Sequence, residues 1–207
     1  MDLNKKKFSF IYHNIFIYRI VMNLLYLGGY RKRFNYIIDI LISNKFKIVT
    51  ELCFGDILIA EWCKENQIDW NGFDINHNFI LNAKKKGYNA KYRDLLKFEN
   101  LPKSDVIIII GSLYHFHDSL EKLIQCIMNS TSSLIISEPI SNLSSNSSII
   151  GKIAKKLTKS GNGNEEFRYD YNSLYKSLNK ICKGKYKIFE LNKTHKDLIL
   201  NINKIQT

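Results

Sequence analysis

Between Phe46 and Asp74 the chain carries the pattern that most narrows its fold. A short apolar run, Phe-Lys-Ile-Val-Thr-Glu-Leu, breaks at Cys53-Phe54-Gly55-Asp56, after which Ile57, Ile59, Ala60 and Cys63 recur at helical spacing. A second run, Ile68 to Asp74, ends on a carboxylate. The periodicities spell strand, tight turn, helix and strand again. In such a βαβ unit the turn after the first strand and the acidic end of the second lie side by side at the carboxyl edge of the sheet, where nucleotide-like ligands bind. A backbone turn can approach such a ligand closely, and the Asp74 carboxylate can accept both hydroxyls of a ribose.

The residues of the turn separate the ligand classes that use this geometry. A dinucleotide loop needs three glycines, and their places hold Cys53, Gly55 and Leu58, so a nicotinamide-dependent reductase is poorly matched. What is present is an acidic strand end, Glu51, followed at alternate positions by Cys53, Gly55 and Ile57. This resembles the first motif of the class I S-adenosylmethionine-dependent methyltransferases of the small-molecule type, with one of the three glycines kept and Cys53 small enough to replace the first. The resemblance implies a Rossmann-like α/β fold: a seven-stranded, mostly parallel sheet with an antiparallel last strand, helices on both faces and an N-terminal helical cap. It also implies S-adenosylmethionine (SAM) as cofactor and S-adenosylhomocysteine (SAH) as product, with Glu51, Cys53, Gly55, Asp56, Asp74 and Ile75 around them. In that family a third motif ends on an acidic residue that bonds the adenine amino group; Asp94, followed by Leu95, matches it.

The clearest strand is Asp105 to Ser112, apolar on both faces as a central parallel strand must be. It is followed by Leu113-Tyr114-His115-Phe116-His117-Asp118, similar to a segment of small-molecule methyltransferases, and Gly111 and Ser112 complete the expected cofactor set. Methyl transfer is an in-line displacement in which the sulfonium supplies its own leaving group, so the protein chiefly aligns the nucleophile. A hydroxyl or ammonium nucleophile also gains from a base, and His115 is the candidate. His115 and His117 have H-x-H spacing, but no third ligand is near in sequence, and no metal is expected. The strand Ser132 to Pro139 brings Glu138 to the same edge, where it either contacts a substrate or satisfies a backbone turn. Tyr114, Glu138 and Arg168 form the expected acceptor side.

Domain boundaries follow. Residues 1–45 read as a helical cap, an amphipathic helix broken at Gly28-Gly29 before a second helix, Tyr30 to Ser43. Residues 46–207 read as the methyltransferase domain, with a lid-like insert at about 140–170 containing a basic helix, Ile149 to Lys159. A helix from Asn172 to Cys182 leads into a terminal hairpin.

Composition sets the remaining bounds. The net charge of +12 would suit an acidic partner, but the only arginines are Arg19, Arg31, Arg33, Arg93 and Arg168, and the lysine, asparagine and isoleucine bias fits an AT-rich genome. Base and phosphate recognition favours arginine, so nucleic acid gains little support. The expected acceptor is a small or medium-sized metabolite, and an anionic one would suit a basic lid. An RNA methyltransferase and a non-catalytic adenosyl-ligand binder are the alternatives. Cys53, Cys63, Cys126 and Cys182 form no C-x-x-C pair and read as reduced thiols of a cytoplasmic protein. Arg19 sits mid-way in the apolar stretch from Phe8 to Leu27 and argues against a membrane span. Lys5-Lys6-Lys7 and Arg31-Lys32-Arg33 would let that helix lie on a membrane surface. Oligomeric state is left open.

Overall fold

All five side chains of Val106–Ile110 (β4) are buried, because this strand lies mid-sheet with helices on both sides. In a computed structural model, which describes residues 14–140, 167–194 and 196–205, Ile107 and Ile109 face one core with Leu123, Ile127 and Leu178. Val106, Ile108 and Ile110 face the other with Ile37, Leu41, Ile59 and Ala83. The alternation of strand side chains thus feeds two cores at once.

Among the described residues the elements run α1 (Ile15–Leu25), α2 (Tyr30–Asn44), β1 (Ile48–Leu52), α3 (Leu58–Glu65), β2 (Asp69–Asp74), α4 (His77–Lys85) and β3 (Asn89–Tyr92). After β4 come α5 (Leu120–Met128), β5 (Ser133–Pro139), α6 (Tyr171–Cys182), β6 (Tyr186–Lys193) and β7 (Asp197–Lys204). The seven strands form one sheet in the order β3-β2-β1-β4-β5-β7-β6. The first five pair in parallel, and β7 runs antiparallel to both β5 and β6. This is the expected Rossmann-like sheet with its inverted last strand. Leu52 is level with Phe73 on one side and Ile109 on the other. The ends of β1, β2 and β4 therefore open together at the point where successive crossovers diverge, which is where open α/β sheets bind ligands.

The N-terminal helices cover that edge. Asn14 caps α1 by accepting the Phe16 amide at 2.8 Å. Phe34, Ile37 and Leu41 of α2 pack into the same core as α3 and α4, so this helix is part of the main body. Polar anchors hold the pair over the loops. Arg19 grips Asp56 with Nε at 3.0 Å from both carboxylate oxygens and Nη2 at 2.6 Å from Oδ1. Arg33 donates to the Tyr26 hydroxyl at 2.6 Å, and that hydroxyl donates to Asp197 at 3.1 Å. Lys196 donates to the Leu25 carbonyl at 2.5 Å.

The expected insert with its helix Ile149 to Lys159, and the chain before Asn14, lie outside the described residues. Among the described residues, no helix is long and apolar enough to cross a membrane.

The Arg19–Asp56 pair makes a direct prediction. Arg19→Ala strands a buried carboxylate, so urea unfolding should show a loss of about 2 kcal/mol. That is less than a fully enclosed pair would show, because the Arg19 side chain keeps 31% of its exposure. Hydrogen exchange should quicken first in α1, and an unchanged exchange pattern would mean the ion pair does not hold the helix down.

Candidate functional site

The corner after β1 is built by backbone conformations that side chains seldom adopt. Cys53 has φ +53° and Gly55 has φ +53°. The left-handed region costs a non-glycine residue about 1–2 kcal/mol, so a cysteine held there is an unusual choice that the surrounding contacts must maintain. A Cβ added at Gly55 would lie 3.2 Å from the Tyr18 hydroxyl of α1. Glycine meets the positive φ without strain and leaves the Tyr18 ring room to lie against the turn.

The end of β2 is fastened to this corner. Asp74 Oδ2 accepts the Gly55 amide at 3.1 Å, and Oδ1 accepts the Asn76 amide at 2.7 Å. The strand end and the glycine turn are therefore side by side, as the βαβ reading requires, with Ile75 between the two strand-end anchors. Burial lifts the Asp74 carboxyl to about 6, against the pull of the Asn76, Gly55 and Ile75 amides.

Glu51 lies one layer deeper and is completely buried. Its Oε2 accepts the Trp70 indole N–H at 3.0 Å, while Oε1 has no hydrogen-bond partner among the described residues. Burial holds this carboxyl well above the ordinary carboxylate range even with the indole donating to it. Gly72 makes the contact feasible. It stands opposite Glu51 in the sheet, and a Cβ there would fall 2.0 Å from the Trp70 ring, so the indole lies flat across the glycine to reach the carboxylate.

The other predicted positions fall around the same edge. Asp94, after β3, accepts the Leu96 amide at 3.1 Å and so caps a single 3-10 turn that buries Leu95. The Cys53 thiol is pushed up by burial first, then by the charges of Asp74, Asp94 and Glu138. Gly111 ends β4 at φ +61°, and a Cβ there would come within 3.0 Å of Arg33 Nη1. Ser112 Oγ donates to the Ile110 carbonyl at 3.3 Å. The His115 amide donates to the Ser112 carbonyl at 3.3 Å, and its ring centroid lies 3.9 Å from that of Tyr114. The Arg168 guanidinium sits 3.9 Å from the centre of the Tyr114 ring. His117 is stacked on Phe167 at 3.5 Å, beside Tyr169.

Two residues of the set turn inward. Asp56 is held by Arg19 and also accepts its neighbour Ile57's amide at 2.8 Å. Of the two roles open to Glu138, the structure shows the backbone one: its oxygens accept the Leu113 amide at 3.0 Å and the Tyr114 amide at 3.3 Å. Burial lifts this carboxyl to about 8, and it braces the turn that carries Tyr114 and His115. Sequence reasoning overlooked Tyr18, Tyr26, Arg33 and Asp197. A lone arginine in an apolar helix was a usable signal for Arg19, since such a charge must find a carboxylate.

No protein-family model matches the chain, and no curated protein matches it. Solved structures do. Magnesium protoporphyrin IX methyltransferase from Synechocystis PCC 6803, with bound SAH, superposes with a TM-score of 0.62 at 14% identity, covering 91% of this chain and 87% of that one. Human N-acetylserotonin methyltransferase in complex with SAM gives 0.59 at 13% identity, covering 94% of this chain and 57% of that one. An rRNA methylase from Escherichia coli gives 0.55 at 12% identity, covering 90% of this chain and 75% of that one. The fold is thus the class I methyltransferase fold, as the sequence motifs implied.

Gly72 supplies the prediction. Gly72→Ala should displace the Trp70 ring and cost about 2 kcal/mol in denaturant unfolding, with a shift in tryptophan emission as the indole leaves Glu51. A variant as stable as the parent, with unchanged emission, would show that the indole does not need that gap.

Proposed function

We propose that this protein is a SAM-dependent methyltransferase acting on an oxygen or nitrogen nucleophile of a small or medium-sized metabolite. The observation that carries the reading is the hydrogen bond joining the Gly55 amide to Asp74 at the carboxyl edge. It joins a turn that a ligand can approach closely to a carboxylate able to accept hydroxyls, which supports one ligand being held by both. The acceptor set also suits the cofactor: Asp74, at the open edge, is a carboxylate to which ribose hydroxyls can donate, and Glu51 stands buried behind it at the end of β1. Asp94 and Leu95 are assigned to the adenine side, Cys53 and Gly55 to the turn, and Gly111 and Ser112 to the opposite wall.

When bound, SAM supplies an electrophilic methyl with its own leaving group. The chain has to exclude water and present the acceptor. Tyr18 over Gly55 and Arg33 over Gly111 close the edge from the N-terminal side. Tyr114 and Arg168 form an aromatic and cationic wall that suits a planar acceptor carrying negative charge. His115, in contact with Tyr114, is assigned the proton from the nucleophile, and Glu138 fixes the turn on which both stand.

Titration calorimetry tests the reading. SAM and SAH should both bind, and Asp74→Ala should weaken each by about tenfold or more, because the ribose hydroxyls lose their acceptor. The pH dependence has a definite sign. A diol donates to the ionised carboxylate, so affinity should rise as pH increases through about 6, the value to which burial brings Asp74, and level off above it. Absence of binding by both ligands, or binding that strengthens as the pH falls, would overturn the assignment.

A further inference from the structure

The inner face of α1 is committed to the protein: Arg19 grips Asp56, and Tyr18 lies over Gly55. Its outer face has no such partner among the described residues. Phe16 is 68% exposed, Ile20 46% and Leu24 69%, and Leu27, in the turn that follows, is 77% exposed. Positions 16, 20 and 24 repeat every four residues and so form a single stripe along the helix. No other element exposes as many large apolar side chains among the described residues.

Along the chain the charges on either side of the stripe are basic, while Glu61 of α3 meets Arg19 at 3.7 Å on the committed side of the helix. No aspartate or glutamate occurs between Asp2 and Asp39. Arg31 and Lys32, immediately beyond the stripe, are exposed. A helix of 11 residues is about 16 Å long and cannot span a bilayer. An apolar face bordered by cations is instead the pattern of a helix that lies in the headgroup layer.

We propose that α1 docks the protein on an anionic phospholipid surface, with Phe16, Ile20, Leu24 and Leu27 inserted and Arg31 and Lys32 on the headgroups. Charge separates this occupant from the others. A second copy of this chain, itself at a net charge of +12, would bring like charge to this face. Lys5, Lys6 and Lys7, before the stripe, add to the basic charge of this part of the chain. An anionic bilayer satisfies both the apolar face and its rim. The proposal is independent of the methyltransferase reading, because vesicle binding needs no cofactor.

Vesicle co-sedimentation of the full chain is the test, with phosphatidylcholine alone and phosphatidylcholine mixed with phosphatidylglycerol. The parent should pellet with the anionic vesicles and far less with the neutral ones. Phe16→Ser/Leu24→Ser should reduce partitioning by about tenfold or more, with circular dichroism confirming that the variant is folded. Arg31→Glu/Lys32→Glu, confined to exposed positions, serves as the second variant and should also reduce binding to the anionic vesicles. Failure of the parent to bind anionic vesicles overturns the proposal. So does undiminished binding by either folded variant, or a parent dimer that the stripe variant converts to monomer.

Discussion

The architecture turns on one carboxylate. Asp74 accepts amides from the corner after β1 and from its own following turn, and so holds two crossover units in register at the open edge of the sheet. A buried acidic group that accepts backbone N–H bonds is costly to keep ionised and costly to leave unbonded. Here burial wins by enough to bring the group to about 6. It is therefore a carboxylate whose remaining acceptor capacity a hydroxyl-bearing ligand would complete.

Around this clasp the structure gathers acids that little besides backbone and indole groups restrains. Glu51 is bonded to an indole N–H and Glu138 to two amides. Cations come from the N-terminal helices. Arg33 is buried among the rings of Tyr26, Tyr30 and Phe34 at 4.7, 4.9 and 5.0 Å. The edge is thus acidic on the sheet side and basic and aromatic on the helical side. Such a split suits a zwitterionic ligand carrying both a carboxylate and cationic groups.

What the sequence revealed was what is local in the chain. The β1 turn, Asp74 and the run Val106–Ile110 are each read from a window of a few residues, because strand and helix periods and a single glycine suffice to mark them. The strand character of the runs Tyr186 to Leu191 and Lys196 to Ile202 was legible for the same reason, and they form the hairpin strands Tyr186–Lys193 and Asp197–Lys204, whose antiparallel insertion came from the family resemblance. The N-terminal anchors were not. Arg19 meets Asp56 across 37 positions, and Tyr26 meets Asp197 across 171, and no periodicity encodes such pairs. Glu138 was undecided because a carboxylate at a strand end serves a ligand or a backbone equally well until the neighbouring amides are placed. Gly72 went unremarked because a glycine inside a strand shows its purpose only once the Trp70 ring is seen lying across it.

A crystal structure grown with SAH tests the central claim most directly. It should show the ribose hydroxyls on the Asp74 carboxylate and the ligand backbone against the turn at Gly55. SAH seated elsewhere on the sheet, with the Asp74 carboxylate making no contact to it, would contradict the account.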